Sequence, residues 1–217
     1  MAKILFFALI VKPFVFLMLG LNVRGRENLP LKGPAVLAGN HNSHLDTIVL
    51  MSLYPLKDIR RIRPVAAADY FYKNKWVGWF ADHCIGIIPL DRSGKADRSQ
   101  LFQGCHKALD NGDVLLLFPE GSRGVPEKMS SVKKGVFYLV KDRTDTKITP
   151  VVLHGLGSAL PRNEALFVPF NCDVVIGEHF ELRDEVSDSV KALTDVYTTL
   201  FTYCLTRQAT QEGNRVE

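Results

Sequence analysis

The chain has 217 residues, of which 47% are hydrophobic and 23% are charged, and its formal net charge is +4 at pH 7. This length suffices for one domain with a sizeable core, and the composition is too polar for a multispanning membrane protein. The weak positive charge fits an anionic substrate or an anionic membrane surface, and it is too small to indicate a nucleic-acid partner.

Two apolar runs open the chain at residues 4–11 and 14–21, with Lys12 and Pro13 between them. Together they barely reach the roughly 20 residues that span a bilayer, and a charge and a helix breaker stand at the centre, where they cost most. No small-residue cleavage site follows, which disfavours a signal peptide. We expect residues 1–22 to form a short membrane-associating helix ahead of a domain at 23–217; a core helix of a soluble protein is the alternative.

After this segment, short apolar runs alternate with longer amphipathic stretches. The predicted strands are residues 35–38, 63–67, 85–90, 114–118, 148–153 and 173–176. The predicted helices are residues 47–53, 75–82, 96–110, 133–143 and 189–207. This alternation indicates an α/β fold with a mostly parallel central sheet flanked by helices. The four cysteines show no Cys-x-x-Cys pairing, so we expect buried thiols in a reducing compartment.

Polar residues follow three of the predicted strands. His41 follows the first, Arg92 the third, and residues 118–123 the fourth. Because open α/β sheets bind their ligands beyond the carboxyl ends of the strands, we expect these residues to share one site.

Residues 40–46 (NHNSHLD) place a histidine and an aspartate in one short loop. Such a pair suits general-base chemistry, since the imidazole of His41 would take a proton while Asp46 fixes its tautomer and stabilises the imidazolium. No serine or cysteine elbow accompanies the pair, so the nucleophile is expected to be a substrate alcohol. The alternative is a polar loop in which Asp46 caps a helix.

Arg92 and Arg123 could each grip a phosphate through paired hydrogen bonds. Gly121 and Gly124 would let the backbone approach the ligand closely. Glu120 is expected to bind substrate hydroxyls or to orient an arginine. The alternative is that each arginine forms a surface ion pair with a neighbouring acidic residue.

His44 allows a metal interpretation, because His41, His44 and Asp46 form an H-x-x-H-x-D cluster. A metallohydrolase would need further ligands from later loops, and the other histidines stand in no evident ligand cluster. We therefore expect no metal.

Residues 69–80 interleave aromatic residues with lysines and follow a basic run at 57–63. Tyr and Trp favour the bilayer interface, and lysines can reach towards anionic headgroups. This stretch predicts a second membrane-facing surface; the alternative is that its aromatic residues pack against the sheet.

Four motifs occur in the order found in the glycerolipid acyltransferase family. They are N-H-x-x-x-x-D at 40–46, G-I-I-P-L-D-R at 86–92, F-P-E-G-S-R at 118–123 and T-P-V-V at 149–152. The chain resembles this family over residues 20–180, and more narrowly its bacterial 1-acyl-sn-glycerol-3-phosphate acyltransferases. The resemblance implies acyl transfer at a membrane from acyl-CoA or acyl-carrier protein, as donor substrates, with no cofactor.

By this resemblance, His41 is the base and Asp46 its orienting carboxylate, and Pro150 belongs to the motif on the acyl-binding side. The residues that resemble the set holding the glycerol phosphate are Arg92, Glu120, Gly121, Ser122 and Arg123. Two features depart from the family. Many relatives carry a lysine in a V-A-K-x-E-L segment, whereas residues 65–70 of this chain read VAAADY. The N-terminal anchor is here one short segment, whereas the family pattern is a longer helical pair.

We therefore expect a membrane-associated O-acyltransferase of phospholipid biosynthesis, at the cytoplasmic face of a bacterial inner membrane. It would move a fatty acyl chain to the free hydroxyl of 1-acylglycerol-3-phosphate and give phosphatidate. Other acceptors stay open, namely another lysophospholipid, an ornithine-type lyso-lipid or glycerol 3-phosphate. The alternatives from other classes are a metal-dependent hydrolase using His41, His44 and Asp46, and a catalytically silent lipid-binding protein.

Overall fold

A seven-stranded sheet organises the fold, and the computed structural model describes residues 1–91, 98–124, 128–159 and 170–207. The strands are β1 (Leu19–Arg24), β2 (Ala35–Gly39), β3 (Ile62–Ala67), β4 (Ile88–Leu90), β5 (Val114–Leu117), β6 (Lys147–His154) and β7 (Phe170–Ile176). Their order is β1-β7-β6-β2-β5-β3-β4, and every neighbouring pair is parallel except β6 and β7. The predicted α/β class with a mostly parallel sheet is confirmed.

Helices cover both faces of this sheet. They are α1 (Ala2–Phe6), α2 (Lys12–Met18), α3 (Leu45–Ser52), α4 (Ala68–Phe71), α5 (Lys75–Phe80), α6 (Arg98–Leu101), α7 (Gln103–Asp110), α8 (Gly135–Val140), α9 (Leu156–Ala159) and α10 (Val186–Phe201). Single π-helical turns occupy Phe7–Val11 and Ala81–Ile85, and short 3₁₀ turns occupy Arg26–Asn28 and Ile59–Arg61.

Alternate residues of the central strands enter two separate cores, as the two-residue period of a strand requires. In β2, Leu37 joins the core under the N-terminal helices and α3, whereas Val36 and Ala38 join the core under α7, α8 and α10. All four cysteines are buried thiols rather than disulfides, as predicted.

The N-terminal helix is continuous through Pro13, because a π-helical turn precedes the proline. The amide of Lys12 donates to the carbonyl of Phe7, and both residues keep helical dihedral angles. The wider turn accommodates a residue that has no amide hydrogen. Leu19 then turns to extended backbone, and β1 pairs with β7. The domain boundary predicted after residue 22 therefore falls inside a strand of the sheet.

Two lysines fasten this helix to the domain. Lys3 Nζ donates to the carbonyl of Ile62 at 2.6 Å, and Lys12 Nζ donates to the carbonyl of Tyr54 at 2.8 Å. Burial, with a smaller effect from the nearby Arg63, lowers the pKa of Lys3 to about 7. The ammonium of Lys12, which stands between the two apolar runs, is thus hydrogen-bonded to the protein itself.

One face of the N-terminal helix is buried and the other is exposed. Phe7, Val11 and Val15 belong to the core, whereas Leu9 and Phe16 point to solvent, Phe16 with 85% exposure. None of the helices within the described ranges has both the length and the apolar character needed to cross a bilayer.

The aromatic side chains of residues 69–80 do not pack against the sheet. Tyr70, Tyr72 and Trp79 are exposed, and Trp76 is 82% exposed. Phe80, at the end of α5, meets Phe6 edge to face with ring centroids 5.0 Å apart. The exposed aromatic residues therefore continue the exposed apolar face of the N-terminal helix.

Replacing Phe7 by alanine tests whether this helix is part of the core. Because Phe7 is fully buried, Phe7→Ala should lower the free energy of unfolding by about 3–5 kcal/mol in urea denaturation. The control Phe16→Ala removes the same group from an exposed site and should stay within about 0.5 kcal/mol of the parent. Equal effects of the two substitutions would contradict the buried position of Phe7.

Candidate active site

Two loops meet beyond the carboxyl ends of the central strands. β2 and β5 are parallel neighbours, with Ala38 opposite Leu117. His41 lies three residues beyond Ala38, and Glu120 lies three residues beyond Leu117. The register of the sheet therefore brings the loop of residues 40–46 beside the loop of residues 118–124.

His41 and Asp46 form the predicted pair. Nδ1 of His41 lies 2.8 Å from Oδ2 of Asp46, which also accepts hydrogen bonds from the amides of Asn42 and Ser43. Because a carboxylate only accepts, the imidazole hydrogen sits on Nδ1, and Nε2 keeps its lone pair for a substrate proton. Asp46 is not the helix cap, since α3 is preceded by His44 at the N-cap position.

The carboxylate and the imidazole differ in exposure. The side chain of Asp46 is completely buried, whereas that of His41 is 19% exposed. The ring of Phe118 stacks on the imidazole with centroids 4.0 Å apart and planes 14° apart. The histidine is thus held on one face by an aromatic ring and at one nitrogen by Asp46, and it can exchange protons with a ligand.

Asn40 fixes the start of the loop of residues 40–46, which carries the predicted catalytic pair and is called the catalytic loop below. Its Nδ2 donates to the carbonyl of Leu153 at 2.9 Å, and its Oδ1 accepts from the amide of the same residue at 2.7 Å. Asn40 is fully buried. The side-chain amide therefore bonds to β6 in the way that the backbone amide of a neighbouring strand would. This fixes the point at which the chain leaves the sheet.

Glu120 bonds to the backbone of two loops. Its Oε1 accepts from the amide of His41 and its Oε2 from the amide of Ser130, both at 2.6 Å. The residue is 1% exposed, and the amide of Gly124 donates back to the carbonyl of His41 at 3.0 Å. Both carboxylate oxygens thus accept hydrogen bonds from the protein backbone, so Glu120 joins the two loops, and its contact with an acceptor stays a prediction.

The other residues predicted to bind the phosphate differ in their positions. Gly121 adopts a left-handed conformation with φ +74°, which favours glycine, and the side chain of Lys133 lies over it. Ser122 is exposed, and Arg123 is half-buried and donates from Nη1 to Nε2 of His44. Arg92 lies outside the described residues.

Pro150 stands apart from these loops. It is buried within β6, opposite Ala38 of β2. A Cβ placed on Gly177 would lie 3.0 Å both from Cγ of Pro150 and from a methyl group of Leu200 in α10. Its ring therefore packs on the α10 face of the sheet, and its acyl-pocket role stays a prediction.

The geometry disfavours the metal interpretation of the histidine cluster. Within the described ranges, no group of three His, Cys, Asp or Glu side chains is arranged to hold an ion. The lone pair of His44 Nε2 already accepts a hydrogen bond from a guanidinium, whose positive charge would repel a metal cation.

His41, the buried Asp46 and Arg123 lie together beyond the carboxyl ends of parallel strands, as the sequence predicts for a substrate site. Residues 20–154, more than half of the chain, match the acyltransferase family. The chain belongs to this family. Both loops of the site lie within the matched acyltransferase region.

Three curated proteins illustrate the similarity of this acyltransferase to its relatives. The chloroplastic 1-acyl-sn-glycerol-3-phosphate acyltransferase LPAT1 of Arabidopsis thaliana is 32% identical over 72% of the chain. The human alpha form is 28% identical over 80%, and the Saccharomyces cerevisiae enzyme is 29% identical over 82%. The chain spans 42%, 59% and 62% of the lengths of these relatives, respectively.

A solved structure supports the fold of this acyltransferase. The crystal structure of the 1-acyl-sn-glycerophosphate acyltransferase PlsC from Thermotoga maritima superposes with a TM-score of 0.67. The match covers 87% of this chain and 76% of that chain at 20% sequence identity.

Replacing Glu120 by glutamine tests its role in joining the loops. In Glu120→Gln, the side-chain NH₂ group would replace one carboxylate oxygen and face the backbone N–H of His41 or Ser130. Because two donors would then oppose each other, the free energy of unfolding should fall by about 1–3 kcal/mol. The measurement is urea denaturation, with the exposed Glu178→Gln as the matched control. Unchanged stability together with a raised KM for the acceptor would instead indicate direct substrate contact.

Proposed function

We propose that this acyltransferase moves a fatty acyl group from an acyl thioester to the free hydroxyl of 1-acylglycerol-3-phosphate and produces phosphatidate. The observation that carries the proposal is the geometry of His41. Its Nδ1 is held by Asp46 at 2.8 Å, while Nε2 contacts no serine hydroxyl or cysteine thiol in the part of the chain that the structure describes. A base with no protein nucleophile beside it suits an attacking group that comes from the substrate.

The reaction proceeds by direct transfer. Nε2 of His41 takes the proton of the acceptor hydroxyl as the oxygen attacks the thioester carbonyl and forms a tetrahedral intermediate. The carbon–sulfur bond then breaks, and the departing thiolate takes the proton from the imidazolium. Asp46 stabilises the imidazolium between these steps. The products are the ester and a free thiol.

Two facts support lysophosphatidate as the acceptor. Arg123 provides a guanidinium that bonds to His44, three residues after His41, and a guanidinium binds a phosphomonoester through paired hydrogen bonds. The curated relatives carry the name 1-acyl-sn-glycerol-3-phosphate acyltransferase. An acceptor panel decides among the candidates: lysophosphatidate, other lysophospholipids, an ornithine-type lyso-lipid and glycerol 3-phosphate, each with acyl-CoA and with acyl-carrier protein, read by mass spectrometry.

The proposed site of action is a membrane surface, at the cytoplasmic face of a bacterial inner membrane. The exposed face of the N-terminal helix and the exposed aromatic residues of α5 adjoin through Phe6 and Phe80. Apolar and aromatic side chains of this kind insert into the region between headgroups and acyl chains. Tyr70 extends the aromatic residues to within 6.3 Å of the His44 ring, next to the catalytic loop.

Replacing His41 by alanine removes the base. His41→Ala should lower the rate of transfer by about 10²–10⁴-fold, while circular dichroism shows an unchanged fold. His106→Ala, a histidine on α7 outside the site, serves as the control and should keep the parent rate. Near-parental turnover of His41→Ala, or an acyl-enzyme trapped on a serine or cysteine, would contradict direct transfer by this base.

Polar substitutions of exposed residues test the membrane surface without damage to the core. Trp76→Ser combined with Phe16→Ser should reduce binding to anionic vesicles in flotation by about tenfold or more, because two large apolar side chains no longer insert. Tyr203→Ser changes an exposed aromatic residue beyond α10, on the other helical layer, and should leave flotation unchanged. Deletion of residues 1–20 would not isolate the membrane surface, because it would also remove Phe7 and Val11 from the core.

Undiminished flotation of the double variant would show that this surface does not bind the membrane.

A further inference from the structure

His44 belongs to the catalytic loop but not to the catalytic pair. It stands at the N-cap of α3 with helical dihedral angles, so its backbone is fixed by the start of that helix. Its ring is exposed, and Nε2 accepts a hydrogen bond from Nη1 of Arg123. The two residues come from different loops, and this bond joins the loop of the base to the loop of the phosphate-binding arginine.

The bond leaves a defined part of the guanidinium for a ligand. Among the described residues, Arg123 has no other hydrogen bond or ion pair. With one Nη1 hydrogen engaged, the edge formed by Nε and Nη2 keeps two parallel hydrogens, the arrangement that binds two oxygens of a phosphate. A long side chain held in this way loses less conformational entropy when the phosphate binds.

The surroundings keep His44 in the form that can accept this bond. Partial burial, followed by the positive charge of Arg123, lowers the pKa of His44, while Asp46 opposes the shift. Asp46 is itself engaged by His41 and two amides. Tyr70, the aromatic neighbour on α4, has its ring centroid 6.3 Å from that of His44 and is about half exposed. At neutral pH the ring is therefore uncharged, with a lone pair on Nε2.

We propose that His44 is a positioning residue for the acceptor, which holds the Arg123 guanidinium so that its free edge grips the phosphomonoester beside His41. The identity of the acceptor rests on the proposed function.

Kinetics of three variants test this role. His44→Leu removes the acceptor nitrogen and should raise the KM for 1-acylglycerol-3-phosphate by about tenfold or more, because a hydrogen bond to a charged group is lost. The KM for the acyl donor should not change, and kcat should fall by less than about threefold. His44→Gln retains an acceptor oxygen and should restore part of the affinity. His106→Leu, which changes a histidine on α7 outside the site, is the control and should behave as the parent.

A double-mutant cycle isolates the coupling to Arg123. In an Arg123→Ala background, His44→Leu should cause no further rise in the acceptor KM, since the group that it positions is gone. A full additional rise would show that His44 acts through another contact, and an unchanged KM in the single variant would overturn the proposal.

Nitrogen NMR of the unmodified protein provides a measurement that does not depend on turnover. With ¹⁵N-labelled histidine at pH 8, His44 should show an unprotonated Nε2 and a hydrogen on Nδ1, and Arg123→Ala should change this distribution. A hydrogen on Nε2 in the parent would refute the bond on which the proposal stands. If the parent protein transfers no acyl group to lysophosphatidate, the proposed function is wrong. The tautomer of His44 measured by NMR would still decide whether His44 holds Arg123.

Discussion

The candidate site depends on one buried carboxylate, that of Glu120, which accepts hydrogen bonds from the amides of His41 and Ser130. The loops that follow β2 and β5 have no regular secondary structure, so their buried amides need acceptors from elsewhere. An ionised carboxylate is a strong acceptor, and one whose two oxygens are both bonded tolerates burial. The loops that carry His41 and Arg123 are consequently joined, although neither residue touches the carboxylate through its own side chain.

The sequence predicts the parts of this fold whose signals are local. The runs at β2 and β5 are apolar throughout because both faces of the strands are covered, and His41 and Asp46 meet because only a short loop separates them. β1 escapes detection because the apolar run at residues 14–21 continues from helix into strand, and hydrophobicity alone does not separate the two. β4 begins at Ile88, later than predicted, because a π-helical turn and the left-handed Gly86 precede it.

Contacts between the two loops could not be predicted in this way. Whether Glu120 meets an acceptor or the backbone of His41 depends on the register of β2 against β5, which no local pattern encodes. The bond between His44 and Arg123 has the same origin. The sequence marks His44 as a polar residue in a catalytic loop, and its partner becomes evident only when the strands are aligned. The N-terminal helix is a similar case, since its sequence indicates an apolar segment but not that one face is core.

Asn40 directly precedes His41, yet both polar atoms of its side-chain amide are hydrogen-bonded to the backbone of Leu153. Only a side chain with a donor and an acceptor on the same planar group can imitate a backbone peptide at this point, so neither Asp nor Leu can substitute for it. Because both polar atoms of this amide bond to Leu153, a loss of activity on replacing Asn40 would be expected to reflect a displaced loop and not a lost substrate contact. The residue next to a base can thus be dictated by the architecture of the sheet and not by the reaction.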